Sequence, residues 1–184
     1  MKIAAPSTVD LNNIIKAQSH LAKVVLKSPL MVNMNASDKF NASVYLKRED
    51  LQMVRSYKIR GAYNKIAGLS HHELTNGIVC AIAGNHAQGG AYACNKLRVK
   101  GTLFMPSTTS KQKINQVKMF GKAWVEIILE GDTFDDAYHA AMAYQEANNC
   151  VFIHPFDDAK VIEGQGTVGL EIVEDAEAPI DFLV

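Results

Sequence analysis

Apolar residues along this chain fall into two spacings, and the alternation between them predicts most of its elements. Leu11, Ile14, Ile15 and Ala22 lie on one helical face running towards Val25, with Ser7, Thr8 and Asp10 as candidate N-caps. The polar stretch 33–41 predicts a loop, and Val44, Tyr45 and Leu46 a strand. Beyond these, short apolar runs alternate with helical spacing. Strands are predicted at 78–82, 102–105, 123–129 and 151–154, the second closed by Pro106 and the last by Pro155. Between them, helices are predicted at 87–97, at 111–120 with a stop at Gly121, and at 133–148 with Phe134, Ala137, Tyr138 and Ala141 on one face. A helix at 166–173 and the beginning of another strand at 182–184 complete the pattern.

Strands alternating with helices of ten or more residues imply parallel βαβ units, so the predicted fold class is α/β with a parallel sheet. A parallel strand buried on both faces needs neighbours. An apolar strand at 182–184 is therefore expected to belong to a truncated sequence that continues beyond it.

Composition narrows the range of partners. Nineteen basic and nineteen acidic residues cancel among 184, which leaves no electrostatic footprint for nucleic acid or an anionic membrane. The opening MKIAAPSTVDLNN lacks the apolar run of a signal peptide, and no stretch is long enough to span a bilayer. Cys80, Cys94 and Cys150 form no CxxC pair and sit in apolar stretches, as small buried hydrophobes do. These features predict a cytoplasmic protein.

Candidate chemistry concentrates in a few segments. Lys58, in Ser56-Tyr57-Lys58-Ile59-Arg60-Gly61-Ala62, falls at a predicted helix start, where the helix dipole favours a neutral, nucleophilic amine. A solvated surface lysine is the ordinary alternative. Gly84-Asn85-His86 lies where a strand gives way to a helix, so its exposed N–H groups favour an anion. Asn85 could equally cap the helix, and a lone histidine such as His86 more often packs than reacts. Gly164-Gln165-Gly166-Thr167-Val168-Gly169 satisfies GxGxxG. However, the charged residues 157–163 before it cannot form the buried strand that a dinucleotide site requires. His71 and His72 lack a partner at zinc-site spacing, so no metal is expected.

Taken together, Lys58-Ile59-Arg60-Gly61, Ala81-Ile82-Ala83-Gly84-Asn85-His86, His154-Pro155-Phe156-Asp157 and Gly164-Gln165-Gly166-Thr167 resemble the threonine dehydratase branch of the tryptophan-synthase-β-like superfamily. That resemblance implies pyridoxal-phosphate fold type II, with residues 1–55 and 157–184 in an incomplete large domain and 56–156 in a small α/β domain. It implies pyridoxal 5'-phosphate as cofactor, held covalently by Lys58, which then carries the proton from the substrate's Cα. Asn85 would bond the cofactor's 3' oxygen, and the turn at Gly84 and His86 would receive the substrate carboxylate. The implied reaction is β-elimination of threonine or serine to a 2-oxo acid and ammonia, a step of isoleucine synthesis, in a homo-oligomer.

The sequence departs from this pattern in several places, among them Glu163 and Gly90, which replace residues that are usually small and apolar. The family's glycine-rich phosphate loop would follow 181–184 and is not in the sequence. Ile82 replaces a serine or threonine whose hydroxyl donates to the substrate carboxylate, and Ala83 stands where serine racemases place a catalytic serine. The fragment is therefore expected to be inactive alone. The other expectation is a catalytically dead fragment that acts only as a folding or association module.

Overall fold

A computed structural model describes residues 9–82 and 84–184. Its centre is a four-stranded parallel sheet of β3 (Ile78–Ala81), β4 (Gly101–Met105), β5 (Val125–Leu129) and β6 (Val151–Phe152), in the order β5-β4-β3-β6. Every residue of β3 and β4 is buried, as parallel strands covered on both faces require. Alternation along β3 divides the core in two. Ile78 and Cys80 join Leu103, Met105, Val117, Ala87 and Ala91 under α4 (Asn85–Leu97) and α5 (Lys111–Gly121), while Val79 and Ala81 join Phe104, Ala137 and Ala141 under α6 (Phe134–Asn148). The α6 helix begins at a capping box in which Thr133 and Asp136 satisfy each other's backbone N–H groups.

The helices on the α4 face continue outward in a row. Helix α3 (Lys58–Ala67) packs on α4, α7 (Ala159–Asp175) packs on α3, and α1 (Leu11–Leu21) packs on α7. Glycines allow the close crossings. A Cβ at Gly89 would stand 3.0 Å from the Lys58 carbonyl oxygen, and one at Gly164 2.6 Å from that of Arg60. The GxGxxG glycines therefore lie inside a helix, where Gly164 and Gly166 serve packing.

Several elements differ from the sequence pattern. The segment read as a polar loop holds α2 (Met34–Phe40). Asn33 caps its start by accepting from the Ala36 N–H at 2.9 Å, and Asn41 ends it in the left-handed region at φ 48°. Short polar residues made this capped helix look like a loop. Before it, β1 (Leu30–Val32) pairs antiparallel with β2 (Tyr45–Lys47). Asp10 caps α1 as expected, accepting from Asn13 N–H at 2.8 Å, but the helix ends at Leu21; Ser7 and Thr8 lie outside the described residues. Helix α7 starts seven residues before its predicted first residue because Asp158 accepts from Lys160 and Val161 N–H, and the charged residues that excluded a strand suit a helix. Residues 182–184 pair with no strand among those described and are exposed.

Candidate active site

Lys58 is the first residue of α3, where the unpaired N–H groups of the opening turn gather. Its Nζ donates to the Pro155 carbonyl at 3.2 Å and lies 5.2 Å from the centre of the Tyr57 ring. The residues after β6 thus reach across to the lysine. From α4, Gly84 sits at the N-cap and Asn85 opens the helix; Asn85 is exposed and does not cap it. Nothing lies within 4 Å of where a Cβ on Gly84 would stand, so open space faces this turn.

His86 is only 1% exposed, and neither ring nitrogen closes a hydrogen bond among the described residues. Burial pushes its pKa down to about 4, and the positive charge of Lys58 adds to the shift, while the Ile153 backbone opposes it. At neutral pH the ring is an uncharged imidazole with unused hydrogen-bonding capacity.

It is not alone. Ser56 Oγ, two residues before Lys58, is buried without a partner among the described residues, as are both amide atoms of Gln165. The Gln165 side chain reaches α3, since its Nε2 would be 2.5 Å from a Cβ on Gly61. Buried polar groups are ordinarily paired, and leaving one unpaired costs about 1–3 kcal/mol. Orphans from three segments therefore converge on the opening turns of α3, around a lysine amine and an open helix N-terminus. This donor and acceptor set fits a polar, anionic cofactor. Ser56 and Gln165 were not singled out from the sequence because a serine or glutamine carries no spacing signal; only the packing of α7 on α3 brings them here.

The lysine's helix is anchored from behind. Arg60, fully buried, donates to Glu49 through Nε at 2.9 Å and Nη2 at 2.7 Å, and to Glu171 through Nη1 at 2.7 Å and Nη2 at 2.9 Å. Lys47 adds a contact to Glu171 at 2.9 Å. Burial works against the guanidinium charge, but the two carboxylates outweigh it and raise the Arg60 pKa. Glu49 is likewise opposed by burial, yet the bonds from Arg60 and Ser28 leave its pKa lowered. This network ties α3 to β2, to the turn after it and to α7.

Ile82 does not stand free in the site. It is half-buried against the core under α4, on the same side of the sheet as Ile78 and Cys80. Ala83 lies outside the described residues. Among those described, no cluster of histidine, cysteine, aspartate or glutamate could hold a metal ion, and no helix is long and apolar enough to cross a membrane.

The profile of the family described as "Pyridoxal-phosphate dependent enzyme" matches residues 21–184. The chain belongs to that family. Among curated relatives, it is 51% identical over 175 residues to the L-threonine dehydratase biosynthetic IlvA of Halalkalibacterium halodurans, covering 95% of this chain and 42% of the relative. It is 50% identical over 177 residues to the protein of the same description in Bacillus subtilis, covering 96% of this chain and again 42% of the relative. Of solved structures, the processed form of threonine deaminase isoform 2 from Solanum lycopersicum superposes with a TM-score of 0.82 at 36% identity, over 96% of this chain and 52% of that one. Maize serine racemase gives a TM-score of 0.85 at 30% identity, over 90% and 50%. The chain thus spans about two-fifths of the length of the curated relatives it matches, and the fold is that of pyridoxal-phosphate fold type II.

Proposed function

We propose that the chain is part of an enzyme that eliminates the hydroxyl of threonine or serine to give a 2-oxo acid and ammonia, in isoleucine synthesis, with Lys58 carrying pyridoxal 5'-phosphate. The observation that carries this reading is the convergence of unpartnered Ser56, His86 and Gln165 on the lysine's turn. Names borne by the relatives at about 50% identity supply the substrate class.

The cofactor, when bound, supplies an electron sink that stabilises negative charge at the substrate's Cα. The rest falls to the chain. Lys58 Nζ holds the cofactor and, once freed, takes the Cα proton. The open N-terminus of α4 at Gly84 and His86 binds the substrate carboxylate with backbone N–H groups and a favourable dipole. Asn85, exposed beside that turn, offers its amide to the cofactor's 3' oxygen. Residues 1–55 and 157–184 are assigned to a large domain and 56–156 to a small one; the packing of α1 on α7 and the Lys47–Glu171 ion pair support the first grouping. The three reduced, buried thiols suit a cytoplasmic setting, and assembly as a homo-oligomer belongs to the same reading.

Borohydride reduction in the presence of pyridoxal phosphate, followed by peptide mass spectrometry, tests the assignment. The pyridoxyl group should be found on Lys58 in preference to the exposed Lys23. Equal labelling of the two, or none at Lys58, would overturn it. The 184-residue chain alone should give no steady 2-oxobutanoate from threonine, because it lacks the remaining three-fifths of its relatives' length. Steady production that disappears in Lys58→Ala would refute that part.

A further inference from the structure

The lysine's partner in the structure is a backbone carbonyl, and a side chain holds that carbonyl in place. Pro155 is buried, and its carbonyl accepts from Lys58 Nζ at 3.2 Å. The residues either side of it form a tight turn closed by His154, whose Nδ1 accepts from the Asp157 N–H at 2.7 Å and from the Phe156 N–H at 3.3 Å. The His154 ring also stands edge-on to that of Phe156, with centroids 4.7 Å apart. One nitrogen therefore fixes the backbone on the far side of Pro155, while Ile153 on the near side is fixed by donating its N–H to the Val79 carbonyl at 2.9 Å.

We propose that His154 is a positioning residue for Lys58: through the turn it closes on Nδ1, it presents the Pro155 carbonyl that holds the lysine amine. An Nδ1 that accepts two N–H groups carries no proton, so the neutral ring has its proton on Nε2. Protonating Nδ1 would set a third donor against the other two and break the turn. The groups that face His154 are Asp157 and Asp158 on its own turn and His86 at the start of α4, with Lys58 of α3 beyond Pro155. Burial lowers the His154 pKa and the two aspartates oppose that shift. The turn is thus complete above the ordinary histidine range and opens as pH falls through the folded value.

The proposal depends on Lys58 being the functional amine only for its consequence, and it can be tested without the cofactor. Trace acetylation with acetic anhydride, read by mass spectrometry, gives the reactivity of Lys58 relative to the exposed Lys23. Exchange of the Asp157 amide, read by NMR, reports the turn itself. His154→Ala should speed exchange at Asp157 and raise the Lys58 to Lys23 ratio about fivefold, the worth of one ordinary hydrogen bond. His154→Asn offers an acceptor at the Nδ1 position that does not titrate, and it should restore both readouts. In the unmodified protein the ratio should rise as pH falls below the ordinary histidine value of 6.5, while in His154→Asn it should stay flat there. A ratio unmoved by His154→Ala while the Asp157 amide opens, or no rescue by asparagine, would overturn the proposal. So would an Asp157 amide indifferent to the change. Borohydride labelling that failed at Lys58 would refute its cofactor role and leave these readouts intact.

Discussion

In β3 and β4 every residue is buried, whereas in β1 and β2 none is fully buried and Met31, Val32, Tyr45 and Leu46 are exposed. The two regions lie in the same chain but are held by different interactions. The parallel sheet is stabilised by apolar side chains pressed between α6 on one face and α4 and α5 on the other. The antiparallel pair has little apolar cover and is held to the molecule from its end, where Lys47 reaches Glu171, Asp175 and the Ser28 carbonyl. Close by, Glu49 and Glu171 grip Arg60. An apolar core tolerates many sequences of similar volume. A buried ionic network requires each partner, because removing one leaves an uncompensated charge.

That contrast can be tested by breaking each region in its own way. Arg60→Met, which leaves Glu49 and Glu171 buried, should cost about 3–5 kcal/mol in urea unfolding. Adding Glu49→Gln, which leaves Glu171 paired with Lys47, should recover much of that loss; if the double variant is no more stable than the single one, charge imbalance is not the cause. Leu103→Ala, in the fully buried β4, should cost about 2–5 kcal/mol, and no second charge change should restore it.

Acid should weaken the helix crossing that joins the regions. The folded His86 titrates at about 4 and the unfolded one at 6.5, so between these values the unfolded chain binds more protons. Its contribution is complete above pH 6.5 and declines as pH falls towards 4, a loss of about 3 kcal/mol. A stability profile that is flat across this window would show the ring to be paired or protonated. At the weak end, Met31→Ser on exposed β1 should change stability by no more than about 0.5 kcal/mol. A larger loss would mean that this strand carries apolar packing after all.

The unequal legibility of the two regions follows from the same physics. Runs such as Ile78 to Ala81 and Leu103 to Met105 announce buried strands, because apolar burial leaves a periodic mark on sequence. The cap at Asp10 and the helix opening near Lys58 were also readable, since caps and helix starts are local. Helix α2 was missed because its caps, Asn33 and Asn41, are also loop residues. Near Lys58, Asn85 was singled out by resemblance alone, whereas Pro155 reaches the lysine through its carbonyl, and any residue carries a carbonyl.

The sequence by itself determined the α/β class, the order along the chain of the four parallel strands β3 to β6 and the lysine at a helix start, each of which depends on neighbours a few residues apart. Only the tertiary structure decided that Arg60 is neutralised by carboxylates 11 residues before it and 111 after it. It alone brought Gln165 against Gly61 and set Pro155 on the amine 97 residues earlier. Such pairings arise where segments distant in sequence pack together. Their partners are chosen by packing geometry in three dimensions, which no local spacing along the chain records.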